Sequence, residues 1–129
     1  MTEANADWER QIAAAFDSTG HPDLAVPLYR AALDARLVGI RRRRAVIQMA
    51  SSLRNLGDPR AAVDLLEAEL HGETDALSGA VRAFLALALV DVGREREAVA
   101  VALTALSEYV PRYNRSLARY AQLLTTEAS

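Results

Sequence analysis

Four arginines stand side by side at 41–44, in the stretch "GIRRRRAVIQMASSLRNLG". A guanidinium offers five N–H donors in a rigid fork and pairs with phosphate or carboxylate, so such a run can serve a nucleic-acid backbone or an acidic partner. On a helix, however, successive residues lie about 100° apart, and four adjacent side chains point all the way round without forming one patch. The net charge of −2 and the pI near 5.7 give the chain no general attraction for polyanions. No stacking aromatic lies beside the run and no second basic cluster lies near it. Nucleic-acid binding through Arg41–Arg44 is therefore the disfavoured alternative. Of the four, only Arg44 is expected to face a partner. The other three are expected to be solvated, with Asp34 or Asp7 offsetting their charge.

Other chemistry is sparse. Neither His21 nor His71 has a neighbour at metal-ligand spacing, and there is no cysteine for a thiolate site or a nucleophile. Phosphate loops, nucleophile elbows and zincin motifs are missing. Carboxylates such as Glu67 and Glu69 are scattered over helix faces, where solvation and i,i+4 pairing account for them. The chain is expected to be no enzyme, with no catalytic residue, cofactor or metal. All 15 basic residues are arginine, which together with the abundant alanine fits a GC-rich coding bias. The N-terminus "MTEANADWER" is acidic and unlike a signal peptide, and the apolar run at 83–90 is too short to span a bilayer. A soluble cytoplasmic protein with no membrane partner is expected.

The elements that position these residues are helices. Strand alternation and hairpin-turn dipeptides are nearly absent, and the breakers fall at intervals around Gly20, Gly57 and Gly93. From 20 to 57 and from 57 to 93 the spacings are 37 and 36 residues, so the chain reads as internal repeats. Aligned on the glycines, Ile12, Met49 and Leu85 correspond, followed by Ala13, Ala50 and Ala86, then Phe16, Leu53 and Leu89. After each glycine come Ala25–Val26, Ala62–Val63 and Ala98–Val99, then Tyr29, Leu66 and Ala102, with Leu33, Leu70 and Leu106 closing the units. Apolar residues on both sides of each glycine recur at helical spacing, so each unit is a helical hairpin. The glycine supplies the left-handed residue that ends the first helix. Asp58 caps the next helix, with Pro59 at its first position. The pairs predicted are 6–19 with 23–38, 41–56 with 59–71, and 75–92 with 95–109, followed by a seventh helix over about 112–126. That last helix carries an apolar stripe of Tyr113, Leu117, Tyr120, Ala121 and Leu124, and suits a terminal cap. The whole chain, 1–129, is one domain with repeats at 6–38, 41–71 and 75–109.

This pattern resembles the tetratricopeptide repeat family. The residues that carry the resemblance are the small residues of the first helices (Ala13, Ala50, Ala86), the turn glycines, and the small residues of the second helices (Ala25, Ala62, Ala98), with large partners such as Phe16 and Tyr29. It covers about 6–110. The units are longer than the usual 34 residues, Trp8 sits one residue off the usual tryptophan register, Ala102 stands where a large residue is usual, and Glu69 where alanine is. The resemblance implies an all-α fold, a right-handed α-α superhelix of three hairpins plus a C-terminal capping helix. It further implies a protein–protein interaction module whose first helices line a concave groove for a peptide or protein. The segments "SSLRNLGDPRAAVDLLE" and "AFLALALVDVGREREAV" resemble a small bacterial branch whose members are homodimers.

Residues of the first helices not committed to the hairpins should face that groove: Asp7, Arg10, Gln11, Ala14 and Asp17 in the first, and Arg44, Ile47, Gln48, Ser51, Arg54 and Asn55 in the second. In the third, Ala80, Ala83, Phe84, Leu87, Val90 and Asp91 take this place. The partner-binding set is Arg44, Gln48, Ser51, Arg54, Asn55, Phe84, Leu87 and Val90. From Ala80 to Val90 only Arg82 is polar, and a helix apolar all round should be buried on every side. A three-hairpin stack leaves part of it open, to be covered by the terminal helix, a second copy or a hydrophobic partner. The alternative to a peptide-binding groove is a purely structural homodimer with no peptide ligand.

Overall fold

The computed structural model describes residues 2–35, 37–72 and 74–126. Among them all regular structure is helical: α1 (Glu3–Ser18), α2 (Pro22–Asp34), α3 (Gly39–Asn55), α4 (Pro59–Leu70), α5 (Ser78–Asp91), α6 (Glu95–Ser107) and α7 (Asn114–Thr126). The expected hairpins are present with shifted ends. α1 begins before residue 6 because Thr2 caps it, its hydroxyl accepting from the Asn5 N–H at 3.2 Å. α2 stops at Asp34, short of 38. α5 starts at Ser78, not 75, because the residues before it are tied in a turn. There the Asp75 carboxylate accepts from the Leu77 N–H at 2.8 Å, and the Ser78 hydroxyl accepts from the Asp75 N–H at 2.9 Å.

The turn glycines end α1, α3 and α5 in one way. Gly20, Gly57 and Gly93 have φ of +81°, +84° and +82°. The following N–H reaches back to a carbonyl of the last helical turn: His21 to Phe16 at 2.8 Å, Asp58 to Leu53 at 2.9 Å, Arg94 to Leu89 at 2.9 Å. These bonds satisfy carbonyls that the helix end would otherwise leave orphaned. Asp58 accepts from the Ala61 N–H at 3.2 Å and Pro59 takes the first helical position, so the next helix starts without a lost hydrogen bond.

Each helix packs on its neighbours in the chain, and α1, α3 and α5 also touch in succession. Buried alanines at 13, 25, 50, 62 and 98 let the backbones approach, while Tyr29, Leu53, Leu66, Leu85 and Leu89 fill the space between them. Equivalent positions of the repeats are not equally buried. Val26 and Val63 are 9% and 3% exposed, but Val99 is 49% exposed. Tyr29 and Leu66 are buried, while Ala102 is open. The first two hairpins are each covered by the next, and among the described residues the third is followed by the single helix α7. Ile12 is exposed for the converse reason, since no described helix precedes α1, whereas its counterparts Met49 and Leu85 are buried.

α7 packs against α6, and its backbone stays clear of that of α5. Its buried Ala121 and half-buried Leu117 and Leu124 form the inner face, and Tyr113 and Tyr120 of the expected stripe are exposed. The terminal helix thus covers part of α6 and leaves the apolar flank of α5 open. No described helix is long and apolar enough to cross a membrane.

Candidate partner-binding groove

Where α1, α3 and α5 lie side by side they enclose an open cavity of about 570 Å³. Ala14, Asp17 and Ser18 line it from α1, Tyr29 from α2, Ile47, Gln48, Ser51 and Asn55 from α3, and Phe84 from α5. Gln48, Ser51 and Asn55 fall at i, i+3 and i+7 and so share one face of α3. Four of the residues expected to bind a partner are therefore together: Gln48, Ser51, Asn55 and Phe84. The Gln48 side-chain oxygen accepts from Arg10 at 3.2 Å, and Arg10 donates to Asp7 at 2.9 Å. That hydrogen bond from Arg10 holds the Asp7 carboxyl below its usual range.

The other four lie elsewhere. Arg44, one turn before Gln48, is exposed, does not line the cavity, and makes no hydrogen bond or ion pair among the described residues. Arg54 is engaged by Asp91 of α5 in an ion pair. Leu87 and Val90 leave the groove altogether. With Ala83, Ala86, Ala98, Val99 and Ala102 they line a second, apolar hollow of about 460 Å³ on the open flank of the third hairpin. The reason is helical geometry: Leu87 sits about 60° and Val90 about 120° round the helix from Phe84.

Of the three neighbours expected to be solvated, Arg41 and Arg42 are exposed, and the structure corrects the expectation for Arg43. Arg43 is only 6% exposed. It donates from Nε to Asp75 at 3.1 Å and from Nη1 to the Glu69 carbonyl at 3.2 Å, a cation set against the C-terminal carbonyls of α4. Arg42 pairs with the Glu69 carboxylate. Arg41 lies 3.8 Å from Glu3, both half in solvent, a pair worth little. The offsetting acids are thus Glu3, Glu69 and Asp75, not Asp34, and Asp7 feels Arg41 only as the smallest of its influences. The four side chains diverge toward α1, α4, the turn before α5 and solvent. They form no common patch.

A polar network under the groove has no counterpart in the sequence reading. The fully buried Tyr29 donates its hydroxyl to Asp17 Oδ2 at 2.7 Å. Ser52, also buried, lies 2.7 and 2.6 Å from the two Asp17 oxygens and 3.0 Å from the Gln48 carbonyl. Periodicity marks Tyr29 as a large packing residue and is silent on Ser52. Its one hint is a carboxylate, Asp17, on the inner face of α1.

Burial, reinforced by Asp17, pushes the Tyr29 phenol well above its usual value. A group whose folded pKa is raised contributes stability below its unfolded pKa, and that contribution is lost as pH rises toward the folded value. The urea midpoint of the wild type is therefore expected to fall from about pH 9 to about pH 11, across the unfolded tyrosine pKa of about 10. Tyr29→Phe should show a flatter profile; equal slopes in both proteins would contradict the assignment.

Among the described residues no group of three or more His, Asp or Glu side chains is placed to hold a metal ion. A stack of helical hairpins with equivalent glycine turns and an open groove over its first helices defines a repeat protein of the solenoid class. More narrowly, the chain belongs to the tetratricopeptide repeat family, whose model, described as Tetratrico peptide repeat, matches residues 5–124. No curated protein and no solved structure matches it significantly. Domains of this family are generally protein–protein interaction modules and typically non-catalytic.

Proposed function

We propose that this chain binds a peptide or protein partner in the groove across α1, α3 and α5. The observation that carries the reading is the open cavity of about 570 Å³ left by the described residues, with a polar stripe beside an apolar wall. Gln48, Ser51 and Asn55 can exchange hydrogen bonds with a peptide backbone, and Ile47 with Phe84 can receive an apolar side chain. Arg54 is engaged by Asp91, whereas Arg44, one helical turn before Gln48, makes no ion pair among the described residues and is open to an acidic group of the partner. Affinity capture from the native cell with Ser51→Trp tests the reading, since the indole would occupy the cavity. Partners recovered by the wild type should be lost with this variant and kept with Ala68→Trp, at an exposed position on α4. Equal recovery by both variants would remove the groove as the binding surface.

A second reading rests on the open flank of the third hairpin. Leu87, Val90 and Val99 are each about half exposed there, at 45%, 50% and 49%. A contiguous apolar surface of this kind favours an interface, here with a second copy of the chain. Sedimentation at micromolar concentration should give a dimer. Leu87→Ser combined with Val90→Ser should give a folded monomer, because neither side chain belongs to the core, and its melting temperature should lose the dependence on protein concentration that a dimer shows. A wild type that stays monomeric at about 50 μM ends this reading.

A further inference from the structure

We infer that the groove selects a segment bearing a lysine or arginine beside an apolar residue, and that Asp17 receives the cation. This rests on the groove being the partner surface. Asp17 is the one charged residue among those lining the cavity, and it has no ion-pair partner among the described residues. The nearby arginines are engaged elsewhere, Arg10 with Asp7 and Arg54 with Asp91. The floor of the groove therefore carries an uncompensated negative charge in a concave site, which focuses its field on a ligand.

The carboxylate also has acceptor capacity to spare. Tyr29 and Ser52 bring one hydroxyl hydrogen each, whereas a carboxylate offers about four acceptor positions. Two buried donors from two helices fix its orientation before any ligand arrives, so little ordering remains to be done on binding. Ser51 and Asn55 line the same cavity as neutral polar neighbours, and Ile47 and Phe84 are its apolar wall. A basic side chain flanked by an apolar one matches that arrangement. An acidic segment or a free C-terminal carboxylate would meet Asp17 with like charge.

A random peptide library displayed with blocked ends, panned against the folded protein, tests this directly. The recovered sequences should be enriched in lysine or arginine next to a large apolar residue. Remade as an acetylated, amidated peptide, the consensus should bind about tenfold more weakly to Asp17→Asn, as expected for loss of a charge-assisted hydrogen bond. Asp17→Asn also touches the Tyr29–Ser52 network, so Ser18→Arg serves as a second variant. Ser18 is exposed and lines the groove, and among the described residues its hydroxyl bonds only to the Ala15 carbonyl. An arginine there adds a competing cation without disturbing the network, and binding should weaken similarly. Enriched sequences that are acidic, or unchanged affinity in both folded variants, would overturn the role of Asp17 while leaving the groove as the binding surface. Failure to enrich any sequence, or enrichment that survives Ser51→Trp, would overturn the groove reading and this inference with it.

Discussion

In solution dilute enough to keep the chain monomeric, Leu85→Ala is expected to lower the melting temperature by about 10 °C, while Leu87→Ala, two residues along the same helix, leaves it nearly unchanged. Leu85 is 1% exposed within the main core, and Leu87 is 45% exposed on the open flank. Removing a buried leucine side chain costs about 2–5 kcal/mol, through lost transfer energy and the cavity left behind. For a domain of this size each kcal/mol moves the midpoint by roughly 4 °C. Paired thermal melts by circular dichroism check the result. Similar drops in both variants would mean that α5 is covered on both sides in solution, as a tight dimer would require. The experiment thus bears on the open flank as well as on the core.

Arg43→Met should cost about 2 kcal/mol, while Arg44→Met should cost less than about 0.5. The two arginines are adjacent in sequence and opposite in role. Arg43 is buried against Asp75 and the Glu69 carbonyl, and its loss takes a charged donor from each in a poorly solvated place, leaving Asp75 with the Leu77 N–H and the Glu69 carbonyl with the Gly72 N–H. Asp75 keeps some solvent contact, at 25% side-chain exposure, so the cost falls below that of a fully buried broken pair. Methionine preserves most of the aliphatic stem and isolates the polar loss. Urea titrations at neutral pH measure both values. Equal effects would show that the Arg43 contacts contribute nothing to stability.

The repeats were legible because they rest on backbone requirements. A glycine is needed where φ is near +80°, and a small residue where two helices touch. Such requirements recur at fixed spacing and leave a visible trace. The distribution of side chains between faces was less legible. Periodicity grouped Phe84 with Leu87 and Val90, because it identifies residues outside the hairpin contact without saying which surface receives them. Arg43 was missed for a related reason. Its burial depends on Asp75, in a turn far along the chain, and a run of four arginines gives no sign of which one turns inward. The Tyr29–Asp17–Ser52 network joins three helices through single residues, with no repeat to announce it. Arg44 and Arg54, alike in sequence, differ in the structure because Asp91 reaches only the second.

The open flank of the third hairpin bears on more than self-association. A stack of repeats has two unlike ends, and contacts between unlike ends propagate, whereas contacts between like ends about a two-fold axis stop at two copies. A pair closed through this flank carries two grooves in one particle, each with its own Asp17. A partner with two suitable segments, joined by a linker long enough to reach both, would meet the second groove at a high effective concentration. Its overall affinity would then rise by roughly 10²–10⁴ without a new contact. The hollow around Val99 and Ala102 would in that case set valency, and with it which partners are held for long.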